Sequence, residues 1–186
     1  MKNLLSSLAI SIGVAVAVLQ PVAAVAEPFQ AVDVDRSQVT FNVQQMGVGT
    51  EGSFKRFDAS FTFDPERPDQ AKGRFDIDLT SIDTGLSEAD QEVQGELWFD
   101  TARHPKASFV LDGLQATGPR RYEARGQLTI KGRTQEVRAP FELTPDAVMK
   151  GSFAMKRSDF AIGEGMWASF DVVANEITVR FTLKLN

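Results

Sequence analysis

The chain has no cysteine. That excludes disulfide frameworks, thiol nucleophiles, iron–sulfur clusters and cysteine-held zinc. Histidine occurs once, as His104, so neither a His-rich metal site nor a two-histidine metalloprotease helix can be built. Tyrosine also occurs once, as Tyr122, and tryptophan twice, as Trp98 and Trp167, against 14 phenylalanines. The aromatic surface is therefore almost all of the kind that asks for no hydrogen bond. Cations are the minority charge: 20 Lys and Arg face 25 Asp and Glu, a net −5. Such a balance gives no basic footprint for nucleic acid or anionic headgroups. Over 186 residues, 42% hydrophobic and 24% charged are ordinary globular values, which exclude a disordered chain or a multi-span membrane protein.

What is present begins with an address. Lys2 precedes an apolar run over residues 4–19, followed by Pro21 and the small-residue pattern Ala24-Val25-Ala26. The run is short of the ~20 residues needed to span a bilayer and matches the hydrophobic region of a secretory signal. The expectation is a cleaved signal peptide over 1–26, a single domain over 27–186 and a periplasmic location. No cysteine follows the cut to carry a lipid, and no Arg-Arg pair marks twin-arginine export.

Beyond the leader, alternation of period two recurs. Val39, Phe41 and Val43 alternate with polar residues, as do Ala59, Phe61 and Phe63, and Phe75, Ile77 and Leu79. The same pattern runs through Phe109 and Leu111, Tyr122 to Ile130, Val137 to Leu143, Phe153 and Met155, and Thr178 to Leu185. Each reads as a half-buried strand. Asp64-Pro65, Gly118-Pro119, Lys131-Gly132 and Thr144-Pro145 mark turns between them. Closely spaced strands with little helix predict an antiparallel barrel or sandwich. One segment differs: a capping-box-like Ser87-Glu88-Ala89-Asp90 followed by Val93, Leu97 and Trp98 predicts a helix over 87–98. A smaller helical turn is expected over 157–160.

Little in this pattern supports catalysis. No Gly-x-Ser-x-Gly elbow occurs, and Pro105 biases His104 towards an extended turn. Asp76 and Asp78 alternate with Phe75 and Ile77, which puts the carboxylates on a solvated face. The glycine pairs at 47/49 and 163/165 read as tight turns, since neither joins a strand to a long helix. The phenylalanines, spread over almost every strand, admit two readings. They fill a solid core, or they form the dry wall of a cavity for an apolar ligand. Periodicity does not separate the two.

Particular words in the sequence go further. They are Phe41-Asn42-Val43-Gln44-Gln45-Met46-Gly47 with Gly52 and Phe54, then Ser81-Ile82-Asp83-Thr84-Gly85 with Asp90 and Phe99-Asp100, and then His104-Pro105-Lys106-Ala107-Ser108-Phe109. Gly126 to Thr134, with Val137 and Pro140, follows, and Arg157-Ser158-Asp159-Phe160-Ala161-Ile162 completes the series. In this order, over about residues 30–186, the chain resembles the YceI family of lipocalin-like proteins. The resemblance implies an all-β, antiparallel eight-stranded barrel with one short helical insertion over one end. It also implies a bound polyisoprenoid or isoprenoid quinone, with no catalytic residue, catalytic cofactor or metal. Three positions depart from the pattern: Gln45 and Glu92, where the family often has histidine, and Ala161, where it usually has glycine.

Alternation and resemblance together nominate a lining of Phe41, Val43, Phe54, Phe61 and Phe75, with Ile77, Leu128, Phe141, Phe153 and Val179. Leu97, Trp98, Phe160 and Trp167 are the candidate lid. The expected partner is an apolar lipid-like ligand rather than nucleic acid, with a transient contact to an inner-membrane protein for its delivery. Two other readings stay open. An enzyme acting on a lipid or quinone needs an inward polar cluster around Tyr122, Arg157 or Asp159. A solid-core stress-response or interaction module binds no ligand and uses Arg157 and Asp159 as a structural ion pair.

Overall fold

The computed structural model describes residues 28–186. The leader expected over 1–26 lies outside the described residues. The chain forms β1 (Val32–Gln45), β2 (Val48–Phe54), β3 (Phe57–Thr62), β4 (Lys72–Asp78) and β5 (Ile82–Asp83). A helix α1 (Ser87–Gln94) follows, then β6 (Lys106–Gly118), β7 (Arg121–Ile130), β8 (Arg133–Leu143), β9 (Val148–Lys156) and β10 (Val173–Leu185). All pairings are antiparallel within one sheet, ordered β3-β4-β6-β7-β8-β9-β10-β1-β2-β5. Alternation sets which face turns inwards. Along β7, Tyr122, Ala124, Gly126, Leu128 and Ile130 are buried, while Arg121 and Arg125 are exposed.

The sheet curls until its ends approach. β2 and β3 lie towards opposite ends of the strand order, yet only Lys55 and Arg56 separate them in the chain. Buried Ser81 holds this kink. Its carbonyl accepts the Lys55 N–H at 3.1 Å and its Oγ accepts the Arg56 N–H at 3.0 Å. Farther along the same seam, Phe29 and Phe63 exchange backbone hydrogen bonds of 2.8 and 3.0 Å.

The sheet has ten strands rather than the expected eight. The kink divides one stretch into β2, which pairs with β1 and β5, and β3, which pairs with β4; two-residue β5 adds another. The helix is also shorter than its apolar spacing predicts. It ends at Gln94 because Gly95 adopts an extended conformation (ψ 171°), and residues 95–103 continue as turns that return Asp100 N–H to Gly95 O at 2.8 Å. Ser87 is not the cap, and Asp90 instead accepts both the N–H and the hydroxyl of Thr84 at 2.7 Å. The turn expected over 157–160 is present as a 3-10 helix, ended by Ala161 in the left-handed region (φ 55°) that suits glycine.

One end of the sheet is filled. Phe63 is 1% exposed and meets Tyr122 edge-on at a 5.0 Å centroid distance, while Tyr122 stacks on Phe141 at 5.3 Å. Leu143, Leu183 and Leu185 complete this floor.

Candidate functional site

Above the floor the lumen is open. A cavity of about 520 Å³ runs through the curled sheet, within the range typical of small-molecule pockets. What keeps it open is the placement of glycine. Phe41 faces Gly52 across β1 and β2, Phe61 faces Gly73 across β3 and β4, and Phe181 faces Gly151 across β10 and β9. Phe109 lies against Gly126 of β7. At each glycine a Cβ would collide with the ring, so these rings lie flat on the wall over the missing side chains. An aromatic ring covering a cross-strand glycine is a known device of curved sheets. Here it draws four phenylalanines away from the axis.

All ten residues nominated for the lining face this cavity: Phe41, Val43, Phe54, Phe61, Phe75, Ile77, Leu128, Phe141, Phe153 and Val179. Of the nominated lid, Trp98 and Trp167 line it, their rings 5.5 Å apart, but Leu97 and Phe160 do not. Because α1 stops at Gln94, Leu97 sits on the following turn with its side chain 39% exposed, and its carbonyl accepts the N–H groups of Gly163 and Glu164 at 2.8 Å. Phe160, 1% exposed, is core beneath the 3-10 turn with Val137 and Ile162.

Most of the polar part of the lining collects at the mouth. Besides Ser108 on β6 and buried Arg157, it comprises Gln45 and Thr50 from β1 and β2, Thr84, and Glu88 and Glu92 one helical turn apart on α1. Trp167 Nε1 donates to Glu92 Oε1 at 2.7 Å and ties the 165–167 turn to the helix. The departures at Gln45 and Glu92 thus both fall on the cavity wall. Thr50, Thr84 and Glu88 were not nominated, although Thr50 shares the inward alternation of Gly52 and Phe54. Glu88 shares the i, i+4 face of Glu92.

Arg157 has a structural part that spacing did not suggest. It is 1% exposed, and its guanidinium donates to the carbonyls of Ala174, Ile162, Gly163, Trp167, Ser169 and Val173 at 2.8–3.3 Å. All five of its donors are thereby occupied. Asp159 is exposed and is not its partner, contrary to the expected ion pair. Burial pushes the guanidinium pKa down from its ordinary value, yet arginine stays cationic. The Phe170 ring covers its other side at 5.0 Å. The signal in the sequence was Gly163, whose Cβ would collide with the guanidinium.

No inward catalytic cluster forms around Tyr122, Arg157 and Asp159. Tyr122 belongs to the floor, where burial pushes its phenol pKa up. His104 anchors a turn, its N–H donated to Asp100 O at 2.8 Å. At the kink, Asp78 accepts from the Thr80 hydroxyl at 2.6 Å and from Arg56 at 2.8 and 3.0 Å. The Thr80 hydroxyl first, and then Arg56, hold its carboxyl below the usual range. Among the described residues no helix is long and apolar enough to cross a membrane.

The model of the YceI-like domain matches residues 30–185. Protein YceI of Escherichia coli O157:H7 is 34% identical over 100 residues, 53% of this chain and 52% of that one. The chain spans about half the length of the curated relatives it matches. The crystal structure of Burkholderia cenocepacia BcnA is 35% identical and superposes with a TM-score of 0.79 over 82% of this chain and 98% of that one. A polyisoprenoid binding domain from Saccharophagus degradans shares the fold at 14% identity, with a TM-score of 0.62 over 84% of this chain and 97% of that one.

Proposed function

This chain belongs to the YceI-like family, and we propose that it is a periplasmic binding protein for a long isoprenoid-type chain. The ligand, a polyprenyl chain or an isoprenoid quinone, lies inside a lipocalin-like barrel. The protein carries or buffers it rather than transforming it. The observation that carries this reading is the cavity of about 520 Å³ kept open by phenylalanines laid over glycines. Its wall offers contact to an apolar chain along its length, with the polar groups confined to a few positions. The description of the Saccharophagus relative as a polyisoprenoid binding domain supports the same ligand class. At about 0.3 kcal/mol per non-hydrogen atom, a ligand of about forty such atoms reaches nanomolar affinity without a charged anchor.

Delivery calls for a transient contact at the mouth. There Met46 is 73%, Leu86 67% and Met166 80% exposed, apolar side chains in reach of an inner-membrane partner. What supports the periplasmic location is the signal-like pattern of residues 1–26 in the sequence.

The test is native mass spectrometry of protein purified from the periplasm of its own host, followed by organic extraction. A bound mass of several hundred daltons that extracts as a prenyl chain is expected. A bare polypeptide that stays bare after incubation with quinones and polyprenols overturns the reading.

A further inference from the structure

The distribution of charge at the mouth bears on which headgroup the cavity accepts, an inference that rests on the proposed function. Among the described residues Arg157 is the only cation in the lining, and every one of its donors is held by backbone carbonyls. The nearby lysines do not compensate: Lys55 is paired with Asp83 at 2.8 Å, and Lys131 with Glu164 at 3.3 Å, both outside the lining. Glu88 and Glu92, in contrast, both line the mouth. The indole of Trp167 fixes one oxygen of Glu92, while Oε2 has no hydrogen-bond partner among the described residues. Thr84 Oγ1 is engaged with Asp90 and Leu86, which leaves Gln45 and Thr50 as the uncharged polar groups of the rim.

A phosphorylated chain entering this mouth would bring its charge against two carboxylates and find no free cation. A hydroxyl would find a positioned acceptor. We propose that the mouth selects a neutral, hydroxyl-bearing headgroup, as in a prenyl alcohol, a prenylated phenol or a hydroquinone, and rejects phosphorylated chains of the same length. Glu92 is the specificity-determining residue, held by Trp167, with Glu88 adding charge.

Both tryptophans line the cavity, so their emission reports entry directly. Three C40 prenyl probes presented from cyclodextrin at neutral pH and low salt make the test: the alcohol, its methyl ether and its monophosphate. The alcohol should bind about tenfold more tightly than the phosphate, since two like charges at the mouth are only partly screened by water. It should also bind about threefold more tightly than the ether, which lacks the donor. In E92Q, and further in E88Q/E92Q, the phosphate should approach the alcohol, and added salt should narrow the same gap in the parent. Both positions are exposed, and unchanged melting confirms that the variants fold. A phosphate that binds as well as the alcohol in the parent overturns the charge selection. An ether equal to the alcohol overturns the hydrogen-bond part. If none of the three binds, the isoprenoid reading itself falls.

Discussion

The two ends of the curled sheet use one residue type to opposite ends. At the floor, Phe63, Tyr122 and Phe141 meet edge-on and stacked, and Phe63 is 1% exposed. Higher up, Phe41, Phe109 and Phe181 lie on glycines of neighbouring strands and leave the lumen empty. Phenylalanine therefore does not make a core solid or hollow. Where a ring lies over a cross-strand glycine it can fall back against the wall. Phe141 also faces Gly151, but the Phe181 ring already covers that glycine, and Phe141 packs into the floor with Tyr122.

The sharpest way to break the comparison is to truncate one ring from each end. Phe63→Ala should lower stability by about 3–5 kcal/mol, because a dense site cannot collapse around the lost ring. Phe41→Ala, whose ring already borders empty space, should cost only about 1 kcal/mol in the ligand-free protein while weakening retention of a prenyl chain. Urea titration of both variants reads the difference. Equal losses would mean that the lumen is packed in solution.

Arg157→Met comes next. It leaves several buried carbonyls of the 162–174 segment without donors, at about 1–3 kcal/mol for each one that stays dry. A loss of about 3 kcal/mol is expected, with hydrogen exchange accelerated through 161–175 and unchanged in β7 and β8. Uniform acceleration would show that the mouth is not a separate unit.

Gly73→Ala tests the wall itself. Its new methyl would stand 2.8 Å from Phe61 Cδ2, a side-chain atom free to move, so the ring must swing into the lumen. Stability should fall by about 1–2 kcal/mol through overpacking. Prenyl retention should fall further than it does for a surface substitution such as Lys72→Ala. Retention equal to the parent would refute the account of how the cavity is kept open.

The smallest effect is a pH dependence at the kink that joins the sheet ends. The Asp78 carboxyl is held below its ordinary value by Thr80 and Arg56. A depressed carboxyl contributes stability that is present above its unfolded pKa of about 4 and lost as pH falls through the lower folded value. Thermal melts between neutral pH and pH 3 should show a shallower acid decline for Asp78→Asn than for the parent, the two converging in acid. Parallel declines would assign the acid sensitivity elsewhere.

Most of the wall is legible in the sequence. Side chains alternate strictly along a strand, so Phe41, Val43, Phe75 and Ile77 could be placed on one inner face from their spacing alone. The misplaced residues, Leu97 and Phe160, sit where period-based reading loses its footing. Leu97 follows a helix that Gly95 ends early, and Phe160 lies in a single 3-10 turn. Glu88 shares the helical spacing of Glu92, and Thr50 the inward alternation of Phe54, but a search for apolar lining does not select polar side chains.

Residue order by itself determined the all-β class, the turns, the inward faces and, through five ordered blocks, the family, because these depend on local periodicity and short words. Whether the lumen is filled, which polar groups meet at its mouth, and that Arg157 binds carbonyls rather than Asp159 were decided only by tertiary structure. Each depends on register between strands that are distant in the chain. A glycine's effect on a ring across the sheet is set by which residue it faces, and no local pattern encodes that pairing.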